Sequence, residues 1–218
     1  MNNKFSLFDN YPFLKPLDAH EALHVHKLLK SLSSYRENLP SISLPERITD
    51  HMMLCFLKAV HEGSMTINLK AWERFLETLF SNGRIDQIIS PTLKNYLYIQ
   101  LAKKHPLSRY LDYNQRLKLA YTALHSCPEC RKILMMHAKH FEIDDPKILA
   151  DLAFKGILLG GALHIDLFQF MPQPGFLLEQ LIYLVGKVDQ QKAEKTVQKL
   201  KNQLNKDLKI IKANLKAS

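Results

Sequence analysis

At 218 residues and 25.3 kDa, with 46% apolar and 23% charged residues, the chain has room for one sizeable folded domain with an appendage. Only seven glycines are present, which weighs against Gly-rich phosphate loops and all-β folds. The net charge of +9 and pI near 9.4 invite a nucleic-acid or anionic-membrane reading, yet +6 of that charge, nine lysines against three acids, falls in residues 187–218.

The start, Met1-Asn2-Asn3-Lys4-Phe5-Ser6-Leu7-Phe8-Asp9, lacks a signal-peptide pattern, so an unexported, cytoplasmic protein is expected. Apolar spacings of three and four recur along the chain and alternation does not, which predicts an all-α fold. The expected helices run over 18–35, 45–62, 68–82, 84–104, 114–126, 128–141, 146–170, 176–185 and 188–215. Loops are expected at 38–45 and 104–114, and Gly63, Gly83, Gly175 and Gly186 follow periodic segments that they can close. Asp18, the pair Cys127-Pro128 and the pair Asp145-Pro146 carry N-terminal helix signals. The longest uncharged apolar run, 157–163, falls far short of the ~20 residues that span a bilayer, and no transmembrane segment is expected.

Residues 187–218 carry Val197, Leu200, Leu204, Leu208, Ile211 and Leu215 as one apolar stripe on a Lys-rich helix. No arginine or aromatic residue accompanies it, so nucleic acid is not the expected partner, and the stripe predicts packing on the domain or on another chain. The expected organisation is a helical domain over 1–186 and a basic amphipathic helix over 187–218.

Two patterns carry chemistry. His20-Glu21-Ala22-Leu23-His24 matches H-E-x-x-H, where two imidazoles one turn apart bind zinc and the Glu activates water. Lys27 and Lys30 stand where an extended metalloprotease motif would need Gly and a third His. Asp18 as cap leaves His20 and His24 in an exposed first turn, so surface histidines are expected and a zinc hydrolase is the lesser alternative.

The second pattern is Cys127-Pro128-Glu129-Cys130, between His125 and His137. A Cys-x-x-Cys at a helix start sets the first sulfur beside unpaired N–H groups and the positive end of the dipole, and the second one turn in, where it can resolve a disulfide. Cys130 and His137 would stand about 10.5 Å apart along a continuous helix, too far to share a metal. Three cysteines, an odd number, suit a reducing compartment, and Cys55, in an apolar run, is expected in the core. No metal or cofactor is expected.

The stretch from Asn114 to about Gly161, with its helix, Cys127 and Cys130, the Ile143-Asp144-Asp145 turn and a third apolar helix, resembles the alkylhydroperoxidase D and carboxymuconolactone decarboxylase-like superfamily. The match covers under a quarter of the chain. That resemblance implies a compact multi-helix domain, a homo-oligomer, and a Cys pair reducing hydroperoxides with electrons from a dithiol partner. At the family's relay positions stand Gln115 and Leu134, at its auxiliary His Glu129, and at its turn Gly Glu142; His125 and His137 are the candidate proton-transfer groups that remain. The expected function is thiol-dependent disulfide or peroxide reduction through Cys127 and Cys130. The alternative is a helical interaction or assembly module that docks a protein partner through its C-terminal helix.

Overall fold

The computed structural model describes residues 6–9, 11, 14–33, 42–62, 69–159, 198 and 202. Its elements are α1 (Ser6–Asp9), α2 (Ala19–Ser33), α3 (Asp50–His61), α4 (Leu69–Ser81), α5 (Pro91–Leu101), α6 (Tyr113–Ser126), α7 (Pro128–Met136), α8 (Ala138–Phe141) and α9 (Pro146–Leu158), with 3₁₀ turns at Arg84–Gln87 and Leu107–Arg109. No strand occurs among the described residues, and no helix among them is long and apolar enough to cross a membrane. The chain divides into two compact units, Met1–Glu142 and Ile143–Ser218. The expected boundary at 186/187, the helices expected beyond Leu159 and the basic stripe lie outside the described residues, as do Gly63, Gly175 and Gly186.

In the first unit, α5 packs against α4, α6 and α7, α6 lies along α7, and α2 packs on α3 and α4. Leu93, Leu97, Ile99 and Leu101 of α5 are all at most 1% exposed. They point to more than one side of the helix, as a rod enclosed by neighbours requires. Phe56 of α3 meets Trp72 and Phe75 of α4, with ring centroids 6.3 and 5.0 Å away.

Several helix ends follow their local chemistry. Asp18 Oδ1 accepts the Glu21 N–H at 2.7 Å, and Gly83 closes α4 at φ 65°, a left-handed conformation that glycine adopts without Cβ strain. Three expected helices are shorter or broken. The segment over 45–62 becomes helical only at Asp50, behind the Thr49 cap. The segment over 84–104 divides, because Ser90 caps a new helix, its Oγ accepting the Leu93 N–H, with Pro91 in the first turn. The segment over 128–141 divides at His137, whose φ of −124° leaves the helical region.

Glu142 ends α8 at φ 51° and ψ 47°, at the turn where the resemblance calls for glycine. A left-handed non-glycine residue costs about 1–2 kcal/mol. Offsetting contacts are present: the Ser108 N–H donates to Glu142 Oε2 at 2.8 Å, and Arg116 donates to the Glu142 carbonyl at 3.4 Å.

In the second unit, Asp145 Oδ1 accepts the Lys147 N–H at 2.8 Å and opens α9, on which Lys155 pairs with Asp151 at 2.6 Å. Leu149, Ala150, Leu152 and Ala153 are buried.

Candidate active site

The junction between α6 and α7 is one residue wide. Cys127, extended at φ −150° and ψ 156°, ends α6 and caps α7, and Pro128 follows at the first helical position, where a missing N–H costs nothing. The cap donor is Cys130, whose backbone N–H donates to Cys127 Sγ at 3.0 Å. The Cys130 thiol is also hydrogen-bonded to Cys127. That bond, burial and the neighbouring sulfur push the Cys130 thiol well above the ordinary thiol range, against an opposing hydrogen bond from Ser126. Cys130 therefore holds its proton, and Cys127 is the acceptor of the pair.

Both cysteines are nearly closed to bulk water, at 4% and 2% exposed, yet both line a cavity of about 320 Å³. Its other walls come from Leu7, from Thr92, Asn95 and Tyr96 on α5, and from His125 and Ser126 at the end of α6. Its volume falls in the range of small-molecule sites. Both α6 and α7 pack on α5, and Leu124 and Cys130 beside their junction are buried.

Of the four candidate residues, the structure gathers three. His125 is exposed and lines the cysteine cavity, whereas His137 caps the far end of α7 and lines a separate cavity of about 220 Å³ with Trp72, Leu76, Lys103 and His105. Burial, then His140, Lys103, Lys139 and Lys104, hold the His137 imidazole below its ordinary value.

Glu129, between the two cysteines in sequence, is not an isolated charge: Lys103 Nζ and Gln100 Nε2 each donate to its Oε1 at 3.2 Å. The opposition of like charge to a Cys127 thiolate is reduced accordingly. Gln100 is buried at 3% and also hydrogen-bonds Tyr96. Burial first, and then the Glu129 carboxylate, holds the Tyr96 phenol well above its ordinary value, so Tyr96 is a protonated hydroxyl in the cavity wall. Tyr96 and Gln100 were not among the candidates from sequence, where one helical periodicity covers both; the Ser90-Pro91 helix start was the available signal.

The relay positions named by the resemblance are built for other purposes. Gln115 forms a capping box with Asp112: its N–H donates to Asp112 Oδ1 at 2.8 Å and its Oε1 accepts the Asp112 N–H at 2.9 Å. It opens α6, about 16 Å along the axis from the cysteine end. Leu134 is core, 2% exposed. Cys55 is half-buried, its thiol raised by burial and by Glu21.

No cluster of three or more metal-ligating side chains occurs among the described residues. No family model, curated protein or solved structure matches this chain.

Proposed function

We propose that the protein is a thiol-dependent redox protein in which Cys127 and Cys130 cycle between dithiol and disulfide, with a small organic hydroperoxide as oxidant. The observation that carries this reading is Cys127 Sγ held as the cap of α7 by the Cys130 N–H in a ligand-sized cavity. A helix start favours negative charge on that sulfur, and the protonated Cys130 thiol beside it adds a donor.

In the proposed cycle the Cys127 thiolate attacks the terminal peroxide oxygen, the O–O bond breaks and Cys127 becomes a sulfenic acid. The alkoxide leaves as an alcohol, its proton supplied by Tyr96 or by water. Cys130 then loses its proton and attacks Cys127 sulfur, releasing water and forming the disulfide, which a dithiol reductant returns to the starting state. A cavity of about 320 Å³ around sulfurs only 4% and 2% exposed suits a small molecule better than a protein disulfide, which favours a hydroperoxide substrate over disulfide exchange with a protein. The resemblance to the alkylhydroperoxidase D superfamily agrees with this chemistry, while its relay residues are replaced here and Tyr96 takes the proton-transfer place in the proposal.

Cumene hydroperoxide with the full chain tests it. The expected result is a Cys127–Cys130 disulfide, seen by mass spectrometry as the loss of two hydrogens, with Cys130→Ser stopping at a sulfenic acid that dimedone traps and Cys127→Ser consuming no peroxide. A wild-type protein whose Cys127 and Cys130 stay reduced under these conditions overturns the proposal.

A further inference from the structure

The H-E-x-x-H segment is not absorbed by the thiol chemistry, and the geometry of its histidines is specific. His20 and His24 lie one turn apart at the start of α2, and their Nε2 atoms are 3.2 Å from each other. The rings meet edge to face with centroids 4.4 Å apart. His20 is exposed and His24 half-buried, beside the face of α2 that buries Val25, Leu28, Leu29 and Leu32. One metal ion at the usual ~2.0–2.1 Å from each nitrogen would see the pair at roughly 100°, between the angles of square-planar and tetrahedral coordination.

Glu21 does not complete a hydrolytic site. Its Oε1 accepts the Thr49 hydroxyl at 3.1 Å and its Oε2 lies 3.4 Å from His51 Nδ1, so its carboxylate is engaged at the start of α3. The general base of the zinc-hydrolase motif is thereby occupied elsewhere, while the two ligating nitrogens are already converged.

We propose that His20 and His24 form a surface chelate for one divalent transition-metal ion of the Zn²⁺, Ni²⁺ or Cu²⁺ class, with water in the remaining positions and no hydrolytic activity. Paired imidazoles select these borderline ions over Mg²⁺ and Ca²⁺, which take oxygen ligands. Asp18, two residues before His20, favours a cation there, and Lys27 and Lys30 on the following turns oppose it, which sets a moderate affinity. The proposal is independent of the cysteine chemistry.

Isothermal titration of the full chain with Ni²⁺, with Mg²⁺ as the control ion, tests it. Wild type is expected to show a Ni²⁺ site that His20→Ala and His24→Ala each weaken by at least about tenfold, since one anchored ligand supplies the effective concentration of the other. His26→Ala and Glu21→Gln are expected to keep the site. In parallel, Ni²⁺ should raise the melting temperature of wild type and not that of the two alanine variants. Unchanged Ni²⁺ binding in either alanine variant, or equal loss in His26→Ala or Glu21→Gln, overturns the assignment.

Discussion

Cys127 serves the fold and the proposed chemistry through the same sulfur. As the cap of α7 its Sγ satisfies the Cys130 N–H, one of the donors every helix start leaves without an internal partner. Serine is a good N-cap acceptor and alanine is not, so Cys127→Ser should hold stability close to wild type while Cys127→Ala loses about 1 kcal/mol, measured by urea unfolding. Loss of peroxide reduction in a serine variant of unchanged stability then reports the sulfur itself. Tyr96 invites the complementary substitution. Tyr96→Phe keeps the aromatic wall and removes the hydroxyl, and the rate of Cys127 oxidation should fall by about 10²-fold, the usual scale of proton-transfer assistance, if the phenol protonates the leaving alkoxide. Stopped-flow fluorescence or peroxide consumption measures it, and an unchanged rate assigns that proton to water. The two residues also differ in how they could be read beforehand. Cys-Pro before an amphipathic segment announces a cap, whereas a tyrosine in a helical repeat carries the same pattern whether it fills a core or lines a cavity.

At the scale of elements, the site depends on where α5 begins. Asp50, the first residue of α3, accepts the Ile89 N–H on one carboxylate oxygen at 2.8 Å and the Ser90 N–H on the other at 2.7 Å, while Ser90 hydrogen-bonds Tyr11 at 2.8 Å. One side chain thus ties α3 to the extended link that precedes the helix carrying Thr92, Asn95 and Tyr96. Asp50→Ala should cost about 2 kcal/mol, the scale of hydrogen bonds to a charged acceptor, and Asp50→Asn less, because its amide keeps one acceptor oxygen. Urea unfolding of the three proteins gives the order. Apolar periodicity located this region as helical but passed over the break, because Ile85, Ile88 and Leu93 continue the repeat across it and all three are buried. What divides the segment is the Asp50 carboxylate, distant in sequence, together with a proline at the new helix start. The division at His137 has a similar origin: Ala138 and Phe141 are buried on a short separate turn that a continuous α7 would carry elsewhere. His137, at that break, lines a different cavity from the cysteines.

For the whole molecule, the excess of positive charge belongs mainly to residues 187–218, and the helical unit over 1–142 responds to pH through particular groups. His137 is held below its ordinary value by burial first and then by its neighbours His140, Lys103, Lys139 and Lys104, so between the unfolded value near ~6.5 and its lowered folded value the unfolded chain binds more protons. Stability therefore falls as pH drops through that interval, and the loss is complete once the folded imidazole is also protonated. Glu142 acts at lower pH. Burial alone would raise its carboxyl, but the hydrogen bonds from Ser108 and the charges of Arg116 and His140 prevail and hold it below the ordinary carboxylate value. Its contribution is present above the unfolded value near ~4.3 and is lost as pH falls through the lowered folded one. Thermal melts followed by circular dichroism across acid pH should show two successive declines in stability. His137→Gln should flatten the first and Glu142→Gln the second, each leaving the other in place. Added salt should shrink both, more strongly at the exposed Glu142 contacts, since screening acts most on charges open to solvent. A stability curve that stays level from neutral pH down to the carboxylate range would show that neither burial nor the neighbouring charges lower the His137 imidazole in the folded protein.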